Sequence, residues 1–164
     1  MQQKYKNLEK VVVNVGVGRL SAQPNFAEKV LPEIMKELAA ITGQKPMTRT
    51  ARKSIAGFKL RMGSVIGLKT TLRGKRMEDF LERLIHVVLP RVKDFRGLDA
   101  GAIDNAGNLT IGFKEHLSFP EVVSDISKVN FGLEITLVSK TRNKDQVKSK
   151  AVEFYKTLGI QFKK

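Results

Sequence analysis

Residues 9 to 18 read EKVVVNVGVG, and the alternation in this tract describes a strand with two unlike faces. Val11, Val13, Val15 and Val17 point one way, while Val12, Asn14, Gly16 and Gly18 point the other, the period of an extended chain with one buried side. The tract GLKTTLRG repeats the arrangement, with Leu68, Thr70 and Leu72 on one side and Lys69, Thr71 and Arg73 on the other. Two such strands are expected to share a polar face. NLTIGF, with Leu109, Ile111 and Phe113 inward, and GLEITLVSKT, with Leu133, Ile135 and Leu137 inward, extend the sheet, and MTRTA adds a short strand.

Helices supply cover for the apolar face. From Phe26 the spacing Phe26, Val30, Ile34, Leu38, Ile41 makes one helical stripe ended by Gly43, and Pro32 must either kink that helix or start its second half. Met77, Phe80, Leu81, Leu84, Ile85 and Val88 line a second helix from about Lys75 to Val92, with Asp79, Glu82, Arg83 and His86 opposite, so His86 reads as solvated. A third helix begins at Asn143, which can cap while Gln146 reaches back, and runs past Val147, Ala151 and Phe154 to Leu158, with Gly159 as its stop. LDAGAIDNAGN, residues 98 to 108, reads as a long mobile loop, and neither an internal repeat nor a linker is visible. The expected fold is α+β: a largely antiparallel sheet of four to six strands with helices covering one face, a projecting basic loop, and one domain over residues 1–164.

Charge indicates the partner. Lys and Arg number 30 against 16 Asp and Glu, a net +14. The excess is concentrated. After Glu37 the next acid is Glu78, and between them lie Lys45, Arg49, Arg52, Lys53, Lys59, Arg61, Lys69, Arg73, Lys75 and Arg76. A tract of that length should hold about four acids at the chain's average, so the gap reads as an anion-binding surface rather than an ordinary solvated face. Inside it, ARKSIAGFKLRMGSVIGLK (51–69) combines cations, glycines and exposed-looking apolar side chains, which reads as a flexible cationic finger.

Other chemistries lack equipment. Without cysteine there is neither a disulfide framework nor a Cys-type zinc site, and two histidines do not build a His-rich metal centre, so no cofactor is expected. No tract approaches the roughly 18 apolar residues of a membrane span, and the first residues lack a signal-peptide core, so a cytoplasmic protein with no membrane partner is expected. GSVIGLKT has three residues between its glycines where a P-loop has four, and Leu68 precedes the lysine. His116 beside Glu115 in KEHLSFPE has no nucleophile or orienting partner in view and reads as a surface or turn histidine. Glu78 and Asp79 are adjacent on a helix and do not converge on one substrate. AGFKLR lacks the second aromatic of an RRM motif, and no GxxG loop of the KH type occurs. What remains is a polar strand face with Asn14, Lys69, Thr71 and Arg73 beside an acid-free loop, suited to the phosphates and 2′-hydroxyls of a structured RNA.

NVGVG (14–18), ITGQKP (41–46), ARKSIAGFKLRMG (51–63), GLKTTLRGKRM (67–77), LPRVKDFRGL (89–98) and NLTIGFKEHLSFPE (108–121), in that order, resemble the bacterial form of the large-subunit ribosomal protein L-five family. The resemblance spans nearly the whole chain. It implies a non-enzymatic α+β protein of the central protuberance, with 5S ribosomal RNA and 23S ribosomal RNA as partners. In that family the Asn of NxGVG, the Gln of GQKP and the second Thr of KxTLRG serve the 5S surface. Those positions are Asn14, Gln44 and Thr71 here, and Lys45, Lys69 and Arg73 stand beside them. The resemblance further implies that the loop matching residues 52–66 reaches the elbow of the peptidyl-site transfer RNA, through Arg52, Lys53, Ser54, Lys59, Arg61, Met62, Gly63 and Ser64. The region after the second helix is implied in a bridge to a small-subunit ribosomal protein. The chain departs from the family by entering its first strand early, where relatives carry an N-terminal helix, and by a few extra residues around SAQPNFAEKVLP. Two rival classes are a generic basic DNA-binding architectural protein, separable by RNA–DNA competition, and a phosphate-substrate enzyme, separable by nucleotide-dependent thermal stabilisation.

Overall fold

Alternation becomes strand wherever the sequence carries it. The computed structural model describes residues 5–22, 25–93, 95–122, 129–140 and 147–163. Its strands are β1 (Leu8–Gly16), β2 (Met47–Thr50), β3 (Val65–Leu72), β4 (Leu109–Phe113) and β5 (Leu133–Ser139), in one antiparallel sheet ordered β2-β3-β1-β5-β4. The expected inward residues are buried: Val11, Val13, Val15 and Val17, then Leu68, Thr70 and Leu72, then the odd-numbered residues Leu109, Ile111 and Phe113 of β4 and Leu133, Ile135 and Leu137 of β5. On the other side Asn14, Lys69 and Thr71 are half-buried and Gly16 is exposed. Val12 is the exception, since its period puts it on the polar side while only 8% of it is exposed.

The chain forms two compact units. One comprises residues 13–70 and 113–134, the other residues 1–12, 71–112 and 135–164. In the first of these, a wide helical turn at Phe26–Val30 leads into α1 (Leu31–Thr42), which buries Ile34, Leu38 and Ile41. Pro32 lies in the first turn of α1, directly after the wide turn, so it starts the second half of this helical run. Gly43 ends α1 as expected, its N–H donating to the Ala39 carbonyl at 2.8 Å.

His116 is a correction in this same unit. It does sit in a turn, His116–Ser118, but it is fully buried rather than a surface residue. Its Nε2 lies 3.0 Å from a carboxylate oxygen of Glu37 on α1, and its ring stacks on Phe131 with centroids 3.9 Å apart. The Phe131 N–H donates to Nδ1 at 3.4 Å, so Nε2, the nitrogen that faces the Glu37 carboxylate, carries a ring proton. The orienting partner is therefore Glu37, far away in sequence, and not the adjacent Glu115.

In the other unit, α2 (Gly74–Arg83) continues through a wide turn at Leu84–Val88 into α3 (Leu89–Arg91). The expected stripe from Met77 to Val88 is buried along it, and His86 is exposed. The last helix, α4 (Val147–Thr157), buries Tyr155 near its end, with Leu158 just beyond it, while Phe154 is only half-buried; the expected cap at Asn143 and Gln146 falls outside the described residues. Tyr155 donates its hydroxyl to the Gly107 carbonyl at 2.8 Å, and burial pushes the phenol pKa up, so the group stays a donor.

Residues 98–108 are a second correction, because they form a tied turn rather than a free loop. Asp99 accepts from the Gly101 amide at 2.7 Å, and Asp104 accepts from the amides of Ala106 and Asn108 at 2.8 and 2.9 Å. Ile103 bridges to Leu109 and is buried. Asp side chains that bond the backbone two residues on are turn-formers, a role that the run of small residues conceals.

Two substitutions test these anchors. His116→Ala strips the Glu37 carboxylate and the Phe131 amide of a partner and leaves a hole against Phe131; partial exposure of Glu37 moderates the effect to about 2–4 kcal/mol. Tyr155→Phe leaves the Gly107 carbonyl without this donor and is expected to lose about 1–2 kcal/mol. Urea unfolding of both variants reads the difference, and wild-type midpoints would show that neither contact holds its unit together.

Candidate nucleic-acid interface

Register decides which side chains share a face. β2 runs antiparallel to β3 with Met47 opposite Lys69 and Arg49 opposite Gly67, so Met47 and Arg49 project to the side that carries Lys69. On the other flank of β3, the Val17 amide donates to the Ile66 carbonyl at 2.9 Å. Carried along this antiparallel pair, Val17 opposite Ile66 sets Asn14 opposite Lys69. Gly67 permits the close approach, for a Cβ there would lie 3.2 Å from the Val15 carbonyl oxygen and 3.9 Å from the Arg49 Cβ. The polar row thus crosses three strands: Asn14 on β1, Lys69 on β3, Met47 and Arg49 on β2.

The remaining expected 5S residues fall around this row or along β3. Gln44 and Lys45 occupy the connection from α1 to β2; Lys45 is exposed, Gln44 is half-buried, and the Gln44 carbonyl accepts from the Thr42 hydroxyl at 3.0 Å. Thr71 follows Lys69 by two positions along β3 and so projects from the same side of that strand. Arg73 continues in extended backbone, φ −140° and ψ 160°, at the N-cap of α2, and its side chain is exposed. Arg49 is absent from the expected site residues, although the alternation in MTRTA pairs it in parity with Met47 and is sufficient to find it.

The finger, read from its glycines as flexible, carries hydrogen bonds at three levels, two between backbone groups and one to a side chain. At the base the Ala51 amide donates to the Ser64 carbonyl and the Gly63 amide to the Ala51 carbonyl, each at 2.9 Å. Midway the Met62 amide donates to the Ser54 hydroxyl at 2.9 Å. Towards the tip Ile55 and Leu60 exchange both of their backbone bonds, at 2.9 and 3.1 Å, around a tight turn at Ala56–Phe58. Gly63 takes φ +87° at the base, whereas Gly57 needs no such conformation; the tip uses Lys59 at φ +52° instead. The side chains do behave as expected, for Arg52 to Lys59 and Arg61 to Gly63 are all exposed.

Electrostatically the site has one sign. Among the described residues, none of Lys45, Arg49, Arg52, Lys53, Lys59, Arg61, Lys69 and Arg73 has a carboxylate partner. Unpaired cations on an acid-free tract raise the local concentration of polyanions and bind phosphate without first breaking internal ion pairs. Among the described residues no cluster of His, Asp or Glu could hold a metal ion. A cleft lined by Ile85, Leu89, Val92 and Phe95 with Gln161 offers no acid–base pair.

Residues 6–61 match the family described as ribosomal protein L5, and residues 65–162 match the model for the C-terminus of that same ribosomal family. Similar proteins include the large ribosomal subunit protein uL5 of Acholeplasma laidlawii, 47% identical over 96% of this chain and 83% of the relative. The uL5 of Desulforamulus reducens is 46% identical over 98% of this chain and 87% of its own length. That of Syntrophomonas wolfei is 46% identical over 95% and 83%. Matches in both halves of the chain, at this identity and coverage, establish that it belongs to the ribosomal protein L5 (uL5) family.

Proposed function

We propose that this chain is a structural, non-catalytic constituent of the large ribosomal subunit that binds 5S ribosomal RNA through the polar row of β1, β2 and β3. One observation carries the reading: unpaired cations flank hydrogen-bonding side chains on an open strand face in a uL5-family chain. A-form RNA displays its 2′-hydroxyls and base edges in a wide, shallow minor groove, and a sheet face fits that groove better than a narrow one. Asn14 offers both donor and acceptor, and Thr71 a hydroxyl, to sugar and base edges. Lys69, Arg49, Arg73 and Lys45 meet phosphates, which position the protein without reading sequence. Gln44 adds a second amide at the margin of the row.

Within the same proposal the chain acts as one 5S-binding body in the cytoplasmic ribosome, with 23S ribosomal RNA as a further partner. The finger, from Arg52 through Ser64, reaches the peptidyl-site transfer RNA. Residues following α3 contribute to a bridge with a small-subunit protein. A ladder of backbone bonds without a side-chain core suits a projection whose task is to extend cations away from the sheet.

Binding to 5S RNA is expected to weaken steeply with salt while a specific component survives, and equal affinity for 5S RNA, unrelated structured RNA and duplex DNA at fixed salt sinks the reading in favour of a generic nucleic-acid binder. Thr71→Val keeps the strand shape and deletes the hydroxyl, and Asn14→Ala removes donor and acceptor; each is expected to weaken 5S binding by about 1–3 kcal/mol with little change in folding. Filter binding at wild-type strength in both variants places recognition elsewhere. Replacing Lys53 to Met62 by a short Gly-Ser turn, which keeps the Ala51–Gly63 closure, is expected to hold 5S affinity within about threefold. Ribosomes assembled with this shortened chain are expected to release peptidyl-site transfer RNA faster, and a hundredfold loss of 5S affinity instead assigns the finger to the 5S surface.

A further inference from the structure

We propose that the finger tip is a stacking platform, in which Phe58, in one segment with the exposed Ile55 and Met62, takes a flat nucleobase surface while the cations of that segment hold the same RNA's phosphates. The inference rests on the reading of the finger as a transfer RNA contact and adds the chemistry of that contact.

Among the described residues the large hydrophobic side chains left exposed are few, and three of them lie in this one segment: Ile55 at 45%, Phe58 at 79% and Met62 at 70% exposure. Phe58 is the most exposed of all. An aromatic ring held in water forfeits the burial that normally keeps phenylalanine inside a protein, so its place at a loop tip calls for a partner that covers it. The backbone below it is fixed rather than loose, through the paired bonds of Ile55 and Leu60 and the bond from the Met62 amide to Ser54. Lys59 completes the turn in the left-handed region, where glycine carries no steric penalty and lysine does. The tip therefore keeps a strained, charged residue next in sequence to the exposed ring, on a backbone already closed by hydrogen bonds.

Charge selects the partner. Arg52, Lys53, Lys59 and Arg61 are exposed in the same short segment, and no acid occurs between Glu37 and Glu78. A protein surface that covered Phe58 would have to supply the complementary acids. A nucleic acid supplies them with every nucleotide and also offers a π-face, on which aromatic side chains stack with little regard to sequence. Phosphate contact alone accounts for the four cations and leaves Phe58 and Met62 without a role.

The test uses ribosomes assembled with this chain and follows release of deacylated transfer RNA from the peptidyl site at several KCl concentrations. Phe58→Ala is expected to speed release about fivefold or more, the lower bound for one lost stack, and the ratio to wild type is expected to stay constant as salt rises. The Lys53→Gln, Arg61→Gln double variant is expected to lose its effect with salt. Phe58→Tyr is expected to stay within about twofold of wild type and Phe58→Leu to fall well short of it; recovery by leucine as complete as by tyrosine overturns stacking. A benzophenone side chain at position 58 is expected to crosslink to transfer RNA, and crosslinking to protein instead overturns the choice of partner. The shortened finger separates the two levels of inference. If it speeds release and Phe58→Ala does not, stacking is wrong and the transfer RNA contact stands; if the shortened finger itself releases at the wild-type rate, both fall.

Discussion

β1 runs through the middle of the sheet, and its alternate valines Val11, Val13 and Val15 admit only one register against β3 and β5, because a slip of one residue would carry Asn14 into the core and expose Val13 and Val15 to water. Each valine turned outward forfeits roughly 1.5–3 kcal/mol of burial, so the slipped pairing is excluded by a wide margin. Everything on the polar face inherits this decision. Lys69 stands opposite Asn14, and Arg49 and Met47 join them through the β2–β3 pairing. Gly67 completes the constraint by allowing the backbones to approach where a side chain would meet the Val15 carbonyl. The polar row is thus a by-product of core packing: hydrophobic burial fixes the register, and the register sorts the polar residues.

Electrostatics works in the opposite direction. Like charges on neighbouring strands and along the finger repel one another, and no carboxylate among the described residues relieves the cluster around Lys69 and Arg49. The buried valines of β1 and the leucines of β3 offset that repulsion by hydrophobic burial. The same repulsion becomes an advantage when a polyanion arrives, since no internal pair must be broken to meet it.

Much of this is legible from periodicity. The two-residue alternation locates the strands, and the 3.6-residue stripes locate α1 and α2, because burial by one face leaves a repeating mark in the sequence. Pairings between distant side chains leave no such mark. Glu37 looks like a solvated acid on α1, and only the tertiary fold brings it to His116; the nearer Glu115 stands out by adjacency alone. Tyr155 is hidden behind Phe154 because a one-residue shift in the final helix phase changes which ring is inward. The finger looks flexible as long as its glycines are weighed and Ser54 is not. One hydroxyl accepting from the Met62 amide, together with the Ile55–Leu60 exchange, orders a segment that composition describes as loose.

The ladder within the finger also restricts how such a segment can change length. Ile55 and Leu60 form a single paired rung; arms lengthened by further extended rungs would advance about 3.4 Å per residue, and each single step would turn the tip to the opposite side. One residue added to each arm would lengthen the reach and aim Phe58 away from its former direction, whereas two added to each arm would restore the aim about 7 Å farther out. Insertion in one arm alone would need a bulge. The distance spanned by this projection is accordingly adjustable only in coarse increments, and a shift of a few ångströms in whatever it meets could not be followed through length alone.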